Sequence, residues 1–500
     1  MPTIAELLAN GEAASPAIAA LDRPPLSYAD LRSQIEATVA ALNRLGVGRG
    51  DRVAIVLPNG PEMATTFLCV ASAATAAPLN PSYRAQEFEF YLTDLNAKAL
   101  IVEAGASGPA VEVALKLGVA IVELHAGAKA GAFTLQGAAG AAARPGLAEV
   151  DDIALILHTS GTTSRPKIVP LRHRNIAASA RNVANTLALS AADRGLVVMP
   201  LFHIHGLIAG LSAPLSRGGT VVCSPGFNAL RFFADMKTAK PTWVTAVPTM
   251  HQAILARAGH NRAVIAETPL RFLRSSSSSM PPQVIAEVEA TFGAPLIEAY
   301  GMTEAAHQMA SNPLNGVRKP GSVGPSGGPE IAIMGEDGAL LAANEIGEVV
   351  IRGENVTAGY ENNEKANAEA FRNGWFRTGD QGALDADGYL SLTGRLKEII
   401  NRGGEKISPR EIDEALMDHA AVAQVVCFAM PHDKLGEEVA AAVVLRDGFS
   451  ATEAELRDFV GDRLAPFKVP RKILFLAEIP KGATGKLQRI GMAAKLGIKG

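Results

Sequence analysis

The sequence predicts an α/β protein: a large N-terminal domain of doubly wound sheets with a small β subdomain, then a small α+β C-terminal domain. Three observations point there. Apolar runs of strand length alternate with segments of helical periodicity over residues 27–300. The texture then changes to short strands and frequent turns over 321–392, with Glu336-Asp337-Gly338 and Asp385-Ala386-Asp387-Gly388 as turn signals. After Gly394-Arg395-Leu396-Lys397 a fresh helix–strand pattern begins and runs for about a hundred residues, an ordinary domain size. The boundaries expected are 1–394, a junction at 395–397, and 398–500.

The elements follow in order. Ser27 can cap a helix whose apolar positions are Leu31, Ile35, Val39, Leu42 and Leu45, and Gly46 stops it. Residues 53–57 read as a buried strand, and 62–76, small and apolar, as a helix packed on it. Residues 99–102 and 119–122 are further strands, and the Ala/Gly-rich stretch 126–146 a surface excursion without chemistry. Strand 153–157 leads into a polar loop, and helix 175–189 follows. Strand 196–199 runs into Pro200-Leu201-Phe202-His203-Ile204-His205, which puts two histidines at the carboxyl end of a strand, where open α/β sheets bind ligands. Strand 243–247, a helix from Pro248 and strand 270–273 lead to Arg274 and five consecutive serines, 275–279. Those serines lie between a strand and a Met280-Pro281-Pro282 helix start, which favours a tight site loop over a linker. Strand 295–299 then runs into Tyr300-Gly301-Met302-Thr303-Glu304. The C-terminal part offers helix 409–418, strands 422–428 and 440–445, and helix 453–464.

The chemistry concentrates first at His158-Thr159-Ser160-Gly161-Thr162-Thr163-Ser164-Arg165-Pro166-Lys167. Glycine lets the backbone approach, hydroxyls and N–H groups donate, and cations offset charge; a polyphosphate needs that mixture. No GK[ST] follows the glycine at the Walker A offset, so any nucleotide site is of another kind. A formal net charge of −3 leaves no long basic surface for a nucleic-acid backbone. Cys69, Cys223 and Cys427 are far apart in apolar contexts, which suits buried thiols in a reducing compartment. The N-terminus lacks a signal-peptide pattern and no uncharged apolar run is long enough to span a membrane, so the expected place is the cytoplasm with no membrane partner.

Set in order, the motifs Thr159 to Lys167, Tyr300 to Glu304, Thr378-Gly379-Asp380, Gly394 to Glu398, Arg402 to Ile407 and Pro480 to Lys486 make the chain resemble the adenylate-forming superfamily. That superfamily comprises acyl-CoA synthetases, firefly-type luciferases and peptide-synthetase adenylation domains. Ser164 and Ile168 depart from the usual glycines without removing the phosphate-binding groups. The resemblance implies an acid–thiol ligase using ATP, Mg²⁺ and coenzyme A. Thr159, Ser160, Gly161, Thr162, Thr163 and Lys167 would hold the β- and γ-phosphates. Tyr300 would lie on the adenine, Thr303 at the α-phosphate, and Asp380 at the ribose hydroxyls with Arg395 nearby. Glu304 would hold Mg²⁺, and Lys486 would bridge the acid and the α-phosphate. The C-terminal domain would be mobile, turning at Lys397 to bring first Lys486 and then Gly403 and Gly404 to the adenylate. Lys486 is also a plausible acetylation site, with an acetyltransferase and a deacetylase as partners, because acylation would remove its charge.

For the acid, the acyl pocket should be lined by His203, His205, Ser277 and His307. An apolar tail would leave those groups desolvated and unpaired. A second carboxylate or other polar oxygens on the acid would satisfy them, as in oxalate or, behind it, other very short dicarboxylic or hydroxy acids. The segments 200–207, 274–282 and 298–312 are most similar to oxalate–CoA ligases, which implies oxalate + ATP + CoA giving oxalyl-CoA, AMP and diphosphate. The alternatives are a short- or medium-chain fatty acyl-CoA synthetase and a stand-alone adenylation enzyme loading a carrier protein.

Overall fold

The computed structural model describes residues 2–159, 166–480 and 487–498. Ser27 caps helix Tyr28–Arg44 reciprocally with Asp30, and Leu31, Ile35 and Leu42 on one helical face are buried. Gly46, at φ +80°, closes that helix as the sequence predicts.

Two large sheets carry the N-terminal part. The first has seven strands in the spatial order Phe133–Gly137, Ala120–Ala126, Ala99–Glu103, Arg52–Ile55, Thr75–Pro78, Ile153–Thr159 and Lys167–Arg172. Its inner strands pair in parallel and both edge strands antiparallel. The second has eight, in the order His307–Ser311, Leu296–Met302, Phe272–Ser275, Trp243–Ala246, Arg194–Val197, Thr220–Cys223, Pro16–Ala19 and Leu26–Ser27. It too is parallel inside and antiparallel at its edges. Parallel strands need cover on both faces, which explains why runs such as Val53, Ala54 and Ile55 are wholly buried. Helix Pro61–Ala73 supplies part of that cover and is buried throughout except at Glu62.

The expected β subdomain is a five-stranded antiparallel sheet built from Glu330–Met334, Gly347–Arg352, Phe371–Arg372, Trp375–Leu384 and Leu390–Arg395. The strands Ile400–Arg402, Glu405–Ile407, Val422–His432, Gly436–Leu445 and Lys472–Phe475 form a separate sheet, with helices Pro409–Met417 and Glu453–Gly461. Gln283 Nε2 donates to Asp418 Oδ1 (2.5 Å) and Arg410 Nη1 to the Leu392 carbonyl (2.7 Å), tying that part to what precedes it.

Two expectations need correction. The helix expected to run to residue 76 ends at Ala73. Ala74 is extended, and Thr75–Pro78 is a fully buried strand between Arg52–Ile55 and Ile153–Thr159. A small apolar run carries no periodicity to separate a buried helix from a buried strand. The stretch 126–146 also contains an edge strand, Phe133–Gly137, paired antiparallel with Ala120–Ala126. Among the described residues no helix is long and apolar enough to cross a membrane. Cys69, Cys223 and Cys427 are free and buried, as expected, and burial pushes the Cys69 thiol up to about 12.

Candidate active site

Several of the predicted site residues gather where the carboxyl ends of the strands of the second sheet meet the β subdomain. Tyr300 lies near the end of Leu296–Met302, and its hydroxyl donates to Asp380 Oδ2. Asp380 and Arg395 face each other on neighbouring strands, with Arg395 Nε 3.2 Å from Asp380 Oδ1. Burial and the Asp380 charge push the Tyr300 phenol well above its ordinary range, so it stays a donor. Thr303 and Glu304 form the short turn after this strand. Gly301 is required beside it, because a Cβ there would sit 1.8 Å from the His307 carbonyl oxygen.

Glu304 is buried, and its Oε1 accepts from the Tyr360 hydroxyl at 2.8 Å. Lys167 lies over the Tyr360 ring, its Nζ 4.4 Å from the centroid. Burial pushes the Glu304 carboxyl up; Tyr360 and the charges of Arg395 and Lys167 pull it back. Glu304 thus suits a hard divalent cation. Among the described residues no group of three or more acidic, His or Cys ligands surrounds it, so phosphate oxygens and water would complete the shell, as Mg²⁺ prefers. Thr159 and Lys167 face each other in register where Ile153–Thr159 pairs with Lys167–Arg172. Ser160, Gly161, Thr162 and Thr163 lie outside the described residues, as does Lys486.

The residues expected to line the acid pocket form a polar cluster. His205 is fully buried where Arg194–Val197 gives way to the wide-turned helix Gly206–Ser212, a helix type frequent at functional sites. Its Nδ1 lies 3.1 Å from Ser277 Oγ and its Nε2 2.7 Å from Thr245 Oγ1. The His205 ring stacks on His307 with centroids 4.8 Å apart. Ser277 and His307 hold φ values of +74° and +99°, rare for residues with a Cβ. Such conformations persist where the surroundings over-determine them. Asn355 Nδ2 does so at one side, donating to the carbonyls of Ala305 (2.8 Å) and Gln308 (3.0 Å). His203 is half-buried beside His205, and its Nδ1 accepts from the His205 backbone N–H at 3.3 Å.

The C-terminal candidates stand apart. Gly403 and Gly404 are the central residues of the hairpin turn between Ile400–Arg402 and Glu405–Ile407, both at positive φ, as a tight hairpin turn demands. The Gly403 N–H donates to the Leu435 carbonyl and the Gly404 N–H to Asn401 Oδ1. Lys397 is exposed in the turn joining the β subdomain to the last sheet, next to Glu398, which lies 3.4 Å from Arg489 Nε.

Residues 9–361 match the family model of the AMP-binding enzyme, and residues 411–486 match that of the AMP-binding enzyme C-terminal domain. The chain belongs to the AMP-binding enzyme family. An oxalate–CoA ligase of Arabidopsis thaliana is 47% identical over 478 residues, covering 93% of this chain and 92% of that one. An oxalate–CoA ligase of Saccharomyces cerevisiae is 44% identical over 472 residues, covering 89% and 86%. The ATP-bound crystal structure of MatB from Rhodopseudomonas palustris superposes with a TM-score of 0.87 at 28% identity, covering 97% of each chain.

Sequence reasoning missed four residues of this AMP-binding enzyme's site. Tyr360, Thr245, Arg274 and Gln308 join the clusters above through side-chain contacts. None stands in a motif of its own. Gln308 follows His307 directly and Arg274 heads the serine run, and those two adjacencies were the available signals.

Proposed function

We propose that the chain is an ATP-dependent oxalate–CoA ligase. In the first step a carboxylate oxygen of oxalate attacks the α-phosphorus of ATP, the bond to the bridging oxygen breaks, and diphosphate leaves. In the second the CoA thiolate adds to the activated carbonyl and AMP leaves with the former carboxylate oxygen. Positioning and charge stabilisation dominate such chemistry.

Thr159 to Lys167 would cradle the β- and γ-phosphates. Tyr300 would lie against the adenine, with Asp380 and Arg395 at the ribose and Thr303 at the α-phosphate. Mg²⁺ held by Glu304 would neutralise phosphate charge. Lys486 would reach the reacting oxygens in one orientation of the residues after 397, and Gly403 and Gly404 would line the path of the thiol in another, with Lys397 at the pivot. Acetylation of Lys486 would silence the first step, and a cytoplasmic location fits the three free thiols.

The observation that carries the oxalate reading is the pocket's polarity. His205 is wholly buried, both its ring nitrogens lie beside hydroxyls, and it stacks on a second histidine. An alkyl chain placed against the half-buried Ser277 would leave its hydroxyl hydrogen without an acceptor. The named relatives agree in substrate. Pyrophosphate release measured with oxalate, malonate, acetate and hexanoate tests this directly. Oxalate should give the highest kcat/KM; a preference for hexanoate overturns the reading.

A further inference from the structure

Behind the pocket lies a charge that the motifs do not account for. Arg274, in strand Phe272–Ser275, is fully buried. Its Nη1 donates to His205 Nε2 (3.3 Å) and Thr245 Oγ1 (3.4 Å), and its Nη2 to Gln308 Oε1 (3.2 Å). Its Nε has no hydrogen-bond partner among the described residues. No carboxylate among the described residues forms an ion pair with it. Burial alone pulls the guanidinium down, to about 9, which leaves it charged at neutral pH. A buried cation without a counter-ion is costly and rarely kept without a use.

The contacts fix a direction of hydrogen bonding. A guanidinium only donates, so His205 Nε2 must accept. The ring proton is then on Nδ1, and that N–H faces Ser277 Oγ at 3.1 Å. Ser277 Oγ accepts it, which leaves the hydroxyl hydrogen of Ser277 to donate elsewhere. Arg274 and His205 are closed to solvent, whereas Ser277 is only half-buried. The chain of contacts runs from a sealed cation to an accessible donor.

We propose that Arg274 is the positioning residue that selects a second carboxylate on the acid. It holds His205 as the Nδ1–H tautomer, turns the Ser277 hydroxyl into a donor, and supplies from behind the positive charge that the distal carboxylate answers. A monocarboxylate leaves that charge unanswered. The inference rests on the oxalate reading, and the experiment separates the two.

Wild type, Arg274→Met, Arg274→Lys, Ser277→Ala and the Arg274→Met/Ser277→Ala double variant are assayed for pyrophosphate release with oxalate and with acetate. If wild type does not use oxalate, the function proposed above fails. If it does, Arg274→Met should raise KM for oxalate by about 10- to 100-fold, as for a lost hydrogen bond to a charged group. Its loss of kcat/KM should be at least about tenfold greater for oxalate than for acetate, and the oxalate effect should be less than multiplicative with that of Ser277→Ala. Arg274→Lys keeps the charge without the fork and should fall between wild type and Met. If the Met variant does not fold, Arg274→Lys decides by the same comparison of the two acids. Equal losses for acetate and oxalate, or multiplicative effects with Ser277→Ala, overturn the proposal.

Discussion

Ser277 pairs function with strain. Its φ of +74° crowds the Cβ against the backbone, yet a hydroxyl is needed where His205 Nδ1 can reach it. Ser277→Gly relieves the backbone and removes the hydroxyl. It should therefore raise stability by about 1 kcal/mol in thermal melts while raising KM for oxalate. Loss of stability together with unchanged KM would contradict this. At this scale the sequence was informative where chemistry shows in residue type. Two histidines near a strand end, a serine run and a histidine three residues after Glu304 all marked the pocket, and His205, Ser277 and His307 do meet. Arg274 was not legible. An arginine before a serine run reads as an exposed charge, and its burial depends on Gln308 and His205 arriving from distant segments. Tyr360 was hidden for the same reason: nothing near it in sequence announces Glu304 or Lys167 as neighbours.

At the scale of elements, Glu298 ties the serine loop to the strand that carries Tyr300. Its Oε1 accepts from the Met280 N–H at 3.0 Å, beside the start of helix Pro282–Phe292. Burial pushes its carboxyl up to about 7 from an ordinary 4.5. The sign follows from proton binding. Below 4.5 the group is protonated in both folded and unfolded chains and costs nothing. Between 4.5 and 7 only the folded chain keeps the proton, so stability falls as pH rises, and above 7 the full cost of about 3 kcal/mol remains. Glu298→Gln keeps an acceptor for Met280 and removes the ionisation. The variant should melt higher than wild type at pH 8, and the gap should shrink at pH 5. A gap that widens at pH 5 would contradict the account. Most elements were legible because apolar strands and capped helices announce themselves, as with Ser27 and helix Tyr28–Arg44. Thr75–Pro78 was not, since its neighbours in the sheet, rather than its own pattern, make it a strand.

The whole molecule adds a question of alternation. The last sheet begins after an exposed Lys397 and meets the rest through polar contacts such as Gln283 with Asp418 and through an apolar cluster that includes Val288 and Leu296 on one side and Ile412 and Leu416 on the other. The alternation proposed above would have to part that interface, with a pivot of a few residues absorbing the change. The account assigns Lys486 to the first half-reaction alone. Lys486→Ala should abolish adenylate formation by a factor of about 100 or more, while thioester formation from preformed oxalyl adenylate survives. Comparable loss in both half-reactions would reject that division. The order of the motifs along the chain made the architecture readable in advance. How Lys486 would be brought to the site was not, because that depends on how separately folded parts meet.

The central claim is that a carboxylate oxygen of the acid bonds to the α-phosphorus of ATP. Oxalate labelled with ¹⁸O, incubated with ATP, Mg²⁺ and CoA, reads that bond directly by mass spectrometry of the nucleotide product. The expected product is AMP carrying one labelled oxygen, with unlabelled diphosphate. Unlabelled AMP, or ADP with label in inorganic phosphate, would contradict it.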